Sequence, residues 1–251
     1  MYAVTTALYL AYVVSFKDKV AEWAFKAIQV TFFVHMMTIS LWMGDLGPQR
    51  LTSIYALLPL LTWLVVVGFL VIQWRFRMPV LGAFVTPLIS IALIVCLLAD
   101  PAGGEPPVHV SGALLPVHIS LALLGVAAMA LACGVAVLYL LLERQVKRKR
   151  FGRIFQRFPS LDTLDLINYR CVTIGFPLYT VALVLGGVWS ARALEGGWEV
   201  RWVLSLVAWV LFGGLLQARL IAGWRGKRAA ILTIAGFCAV LGVLVEYMVV
   251  A

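Results

Sequence analysis

Residues 113–142 read ALLPVHISLALLGVAAMALACGVAVLYLLL, thirty positions without a single Asp, Glu, Lys or Arg, and the eight that follow read ERQVKRKR. An apolar run of this length exceeds what a soluble core helix needs and suffices to cross the hydrocarbon of a bilayer. The abrupt basic tail marks where such a helix emerges into water. The rest of the chain repeats the pattern: 63% of its residues are hydrophobic, 12% are charged, and the mean hydropathy is +1.02. Soluble domains carry about twice that charged fraction.

Read outward from that stretch, apolar runs bounded by turn residues and charges fall near 2–16, 27–44, 52–74, 79–99, 113–142, 171–190, 202–222 and 229–250. The chain is therefore expected to be an all-α, polytopic membrane bundle of about eight transmembrane helices, with 1–251 forming one integral membrane domain and no room for a soluble one. The first run lacks a basic leader and a small-residue cleavage site, so it is expected to be a retained helix rather than a signal peptide. Pro59, Pro79, Pro87, Pro116 and Pro177 lie within or beside the spans, where neighbouring helices can satisfy the carbonyls that proline frees.

The basic residues set the orientation. Alternate connections carry Lys17, Lys19 and Lys26, then Arg75 and Arg77, then the run from Arg144 to Arg170, then Arg219 to Arg228. They hold seventeen of the twenty Lys and Arg, against Arg50, Arg192 and Arg201 on the other side. The richer side is expected to be cytoplasmic, which puts both termini outside and the protein in a bacterial-type inner membrane. The net charge of +9 then follows from topology, with membrane lipids as the first partner and nothing that points to nucleic acid. Within the basic connection 144–170, Ser160 suits a helix cap, Asp162 a first turn, and Leu161, Leu164 and Ile167 recur at helical spacing. A short helix lying in the inner interface is expected there.

Chemistry is sparse. Cys96, Cys133, Cys171 and Cys238 stand singly, with no Cys-x-x-Cys spacing for thiol exchange or zinc. Phosphate loops, nucleophile triads and paired carboxylates do not occur in suitable context, and neither paired intramembrane charges nor internal repeats suggest a solute transporter. Three histidines remain. His118 lies at the outer end of the fifth run, His109 nine residues earlier in the preceding loop, and His35 inside the second run. At 1.5 Å per residue His35 sits roughly 13 Å below the outer end of its span. A ligating side chain in hydrocarbon is costly to keep and marks a candidate site, although such a histidine can also simply bond a neighbouring carbonyl. Met36 and Met37 are read as packing, and Trp42, Trp189, Trp198 and Trp202 as an interfacial belt.

Several segments taken together resemble a known family. WRFR at 74–77 followed by LGAFVTPL at 81–88, HISLALLG at 118–125 leading into LYLLLER at 138–144, the stretch from Pro159 to Arg170, and GWRGKRAA at 223–230 resemble, in order, cytochrome c assembly proteins of the CcsA/HemX type. The resemblance implies a haem-handling membrane protein, with haem as cofactor. It places His118 at the position of an outer-face haem ligand and His35 at that of a histidine on an early helix, each a candidate ligand to haem iron. The family's external tryptophan signature is not intact here: at its place stands WEVRW at 198–202, of which Trp198 alone is the matching residue. Where the resemblance implies a histidine near the basic end of the seventh helix, this chain has Gln217, and the family's second outer ligand would lie past Ala251. That leaves His109 and Met248 as candidate second ligands at the outer site.

Three functions are compatible with these residues. The first is haem binding and relay for cytochrome c assembly, without ordinary enzyme catalysis and with an assembly partner. The second is a structural subunit that anchors a larger membrane complex after its ligands have been lost. The third is a HemX-like regulator of tetrapyrrole synthesis.

Overall fold

A computed structural model describes residues 1–46, 54–98, 114–149, 158–193 and 200–250. These form eight α-helices, and no strand occurs among the described residues: α1 Tyr2–Ser15, α2 Asp18–Leu46, α3 Ile54–Phe76, α4 Pro79–Leu98, α5 Leu114–Lys147, α6 Leu161–Ala193, α7 Val200–Ile221 and α8 Lys227–Val250. Seven are long and apolar enough to cross a membrane. The exception is α1. Its fourteen residues rise about 21 Å, well short of a hydrocarbon core of about 30 Å.

This short helix is held by its own polar-aromatic face. Tyr2, Thr5, Tyr9 and Tyr12 recur at helical spacing and are buried against α2 and α4. At its end Phe16 takes a left-handed conformation, φ 51°, and its N–H bonds the Tyr12 carbonyl, so the chain reverses directly into α2. Pro79 opens α4, at the helix position where a missing N–H costs nothing.

Two cores divide the bundle. The first, around Tyr9, Phe69, Leu81 and Leu138, joins α1 through α6. The second, around Met129, Tyr179, Phe212 and Val240, joins α3 and α5 through α8. The long helix α5 contributes to both, and its most extensive partner is α6. Those two helices touch through glycine: a Cβ on Gly125 would stand 2.9 Å from the Tyr179 backbone N, and one on Gly175 would stand 3.0 Å from the Gly125 carbonyl. In a membrane, where burial of apolar surface gives no net drive, close backbone approach of this kind is the main source of helix association.

The segment expected to form a separate interfacial helix does not stand alone. Leu161–Arg170 is the first part of α6, continuous with the span that follows. Ser160 does cap it, its Oγ accepting from the Thr163 N–H at 3.1 Å, but from Leu161 through Arg170 and on to Ile174 the helix contains no glycine or proline. Tertiary bonds also hold that segment in line. Asp165 receives both terminal nitrogens of Arg219 from α7, at 3.1 and 2.9 Å, and the Gly226 N–H at 3.0 Å. Asn168 accepts from Arg219 at 2.9 Å and donates to the Ala132 carbonyl of α5 at 2.9 Å.

Candidate functional site

The two intramembrane histidines sit on different helix pairs and each is held by a specific contact. His35 is 8% exposed, on α2 about 16 Å from the Leu46 end. Its Nδ1 shares a 2.8 Å hydrogen bond with the Tyr2 hydroxyl, and the two rings meet edge to face with centroids 5.4 Å apart. One turn deeper, Thr5 and Thr31 bond each other at 3.1 Å. The first turn of α1 lies at the depth of His35 and brings Tyr2 to the ring. His35 Nε2, on the far side of the imidazole, is buried and has no hydrogen-bond partner among the described residues. A buried polar atom without a partner costs about 1–3 kcal/mol, so a ligand at Nε2 would remove a penalty that the fold otherwise carries.

His118 is half-buried on α5, and its Nδ1 lies 2.8 Å from the Ala182 carbonyl of α6. A carbonyl only accepts, so Nδ1 carries the proton, and Nε2 of the neutral ring presents a bare lone pair. This is the tautomer that metal-ligating histidines adopt when the other ring nitrogen donates to a backbone carbonyl. The ring can lie against α6 because residue 186 is glycine: a Cβ there would stand 2.9 Å from His118 Cε1. We predict that Gly186→Ala displaces the imidazole from Ala182 and costs about 1–3 kcal/mol, read as a lower unfolding midpoint of the purified protein. On the next residue of α6, Gly187 faces the Trp202 ring of α7, 3.4 Å from the position a Cβ would take. His118 and Trp202 therefore flank one stretch of α6.

Other residues singled out by sequence are placed differently. Gln217 does not face His35. It is exposed on α7, four residues from the helix end at Ile221, about 6 Å from that end. Met248, near the end of α8, is half-buried against the second core. His109 and Trp198 lie outside the described residues. Among the described residues no group of three or more His, Cys, Asp or Glu converges to hold a metal ion.

Tyr2, Ala182 and Gly186, the partners that fix the histidines, carry no motif. Tyr2 alone had a signal in the sequence, the helical spacing of Tyr2, Thr5, Tyr9 and Tyr12. The carbonyl of Ala182 and the missing side chain of Gly186 are visible only once α5 and α6 are packed.

Comparison with known proteins adds to this geometry. The cytochrome C assembly protein family matches residues 51–250. A cytochrome c biogenesis protein CcsA from Nostoc punctiforme is 40% identical over 87 residues, covering 34% of this chain and 25% of that protein. Its counterpart in a Synechocystis strain is 39% identical over 87 residues, 34% of this chain and 26% of the relative. Over a longer stretch, a CcsA protein of Guillardia theta is 26% identical across 248 residues, 86% of this chain and 82% of that protein. The chain thus spans about a quarter of the length of the first two relatives it matches, 25% and 26%, and most of the third.

Proposed function

This chain belongs to the cytochrome c assembly protein family, and from that premise we propose that it is a multi-pass membrane protein that binds and relays haem in cytochrome c biogenesis. Haem is cargo in this reading, carried for attachment elsewhere, and the protein's part is to hold it, exclude water around it and release it. The observation that carries the reading is the state of His118: with Nδ1 donating to the Ala182 carbonyl, its Nε2 is a lone pair ready for iron, at the end of the bundle expected to face outward.

His35 fits a second holding position deeper in the bilayer. For its Nε2 to hold iron, Nδ1 must carry the proton and donate it to the Tyr2 hydroxyl, a geometry that the 2.8 Å contact allows. Tyr2 would then set both the ring's orientation and the basicity of its free nitrogen, as partners of ligating histidines commonly do. Met248 and His109 remain candidates for a second ligand to an outer haem, and Trp198 for a contact to its face, by resemblance alone.

A second reading, a structural subunit whose ligands have decayed, draws support from Gln217. The position where the resemblance implies a histidine is exposed near the helix end rather than directed toward His35.

Absorption spectra of the detergent-purified full chain, oxidised and reduced, separate the two. The relay reading expects haem to copurify, with His118→Ala and His35→Ala each lowering haem content or altering the axial-ligand spectrum. Haem content and spectrum unchanged in both variants would sink the assignment of these ligands. A haem-free protein that copurifies in fixed ratio with other membrane subunits would replace relay with anchoring.

A further inference from the structure

Where α7 hands over to α8, a crevice of about 610 Å³ opens against the start of α6, at the end of the bundle that the basic residues mark as cytoplasmic. It is remote in the fold from both histidines and unrelated to the haem reading. We propose that this crevice is a binding site for a headgroup that carries a primary ammonium and a phosphate together, as an inner-leaflet aminophospholipid does.

The charges of its walls carry the argument. Asp165 and Arg219 line the crevice but neutralise each other through their two-point contact. Asp162 and Arg225 also line it; both are exposed, and neither has a hydrogen-bond or ion-pair partner among the described residues. One free negative and one free positive side chain thus share a single cavity. In addition, Arg219 is only 6% exposed, yet its Nε has no acceptor among the described residues. A phosphate accepting from Arg225 beside the Arg219 guanidinium, with its ammonium donating to Asp162, answers both free charges. A simple anion leaves Asp162 facing like charge, and a simple cation leaves Arg225 unanswered.

The remaining walls suit the headgroup level of a membrane. Leu161 and Leu166 give an apolar side for the glycerol and upper acyl chain, and Tyr139 and Trp224 give the amphipathic rings enriched at that depth. The shape is preset. Gly223 and Gly226 both adopt positive φ, 63° and 69°, the Gly226 N–H is tied to Asp165 at 3.0 Å, and a Cβ on Gly226 would stand 2.6 Å from the Tyr139 hydroxyl oxygen.

The test uses the delipidated full chain in detergent, incubated with vesicles of phosphatidylcholine containing either phosphatidylethanolamine or phosphatidylglycerol, with retained lipid counted by native mass spectrometry. Phosphatidylethanolamine is expected to be retained preferentially. Asp162→Asn and Arg225→Ala, both at exposed positions that leave the fold intact, are each expected to weaken retention about tenfold, the loss of one hydrogen bond to a charged group. Lys147→Ala, which removes an exposed basic residue outside the crevice, should leave retention unchanged. Soluble phosphoethanolamine distinguishes the sources of this chemistry: if it binds as tightly as the lipid, the site stands and its ligand is the free compound. Equal retention of phosphatidylglycerol, equal loss in Lys147→Ala, or unchanged retention in both crevice variants overturns the proposal.

Discussion

Asp165→Ala is expected to lower the stability of the purified protein by about 3–5 kcal/mol, the cost of removing one partner from a buried ion pair. The size follows from what remains behind. Arg219 is 6% exposed and Asp165 16%, so the abandoned guanidinium keeps its charge at a largely buried position, with Asn168 the one remaining acceptor among the described residues, at 2.9 Å, and the Tyr169 ring 5.3 Å away. The Gly226 N–H loses its acceptor at the same time. Denaturant unfolding in detergent measures the loss, and a change below about 1 kcal/mol, the scale of a surface pair, would contradict the buried-pair argument. Replacing both residues by apolar ones of similar size, Asp165→Leu with Arg219→Met, is expected to recover much of the stability, because the desolvation cost is then removed with the attraction. Arg219→Lys should fall between, since a single ammonium cannot reach both Asp165 oxygens and Asn168 as the planar fork does.

Arg219 also shows what a membrane sequence discloses and what it conceals. Read from the chain alone it is one of seventeen basic residues on the richer side, and topology accounts for it fully. Its pairing with Asp165, 54 residues away, depends on how α6 meets α7, and helices that are apolar all round carry little signal of which face meets a neighbour. Boundaries were legible for the opposite reason. Charges and turn residues sit where helices leave hydrocarbon, so the runs near 79–99 and 229–250 closely match Pro79–Leu98 and Lys227–Val250. The start of α6 was missed because Asp165, Asn168 and Arg170 made Leu161–Arg170 look too polar to join a span; tertiary hydrogen bonds offset the cost of Asp165 and Asn168, and Arg170 is exposed. The histidines were legible as costly residues in hydrocarbon, whereas their partners were not: Ala182 offers only a carbonyl, and Gly186 only the absence of a side chain.

Gly125→Val is the second substitution from which a large effect is expected, and it reaches function through the fold. The atoms that a Cβ at residue 125 would meet are backbone: Tyr179 N at 2.9 Å, the Gly175 carbonyl at 3.1 Å and Tyr179 Cα at 3.2 Å. A flexible side chain could turn aside, but these atoms belong to α6 itself and move only if the helix moves. Overpacking costs of about 1–3 kcal/mol arise where neighbours can adjust; with none able to, the loss should lie at or above the top of that range. The position lies seven residues along α5 from His118, on the same helix pair whose contact holds the Nδ1 bond to Ala182 at 2.8 Å. Prying α5 from α6 should therefore break that bond and release the ring from its tautomer. Gly125→Val is expected to lower the unfolding midpoint and, in protein that remains folded, to lose the outer-site haem signal while the His35 site, built on α1 and α2, keeps its own. Gly214→Val supplies the control, because nothing lies within 4 Å of a Cβ there, and valine at that position should leave both readouts close to wild type. An outer-site signal that survives Gly125→Val would mean that the α5–α6 contact does not position His118.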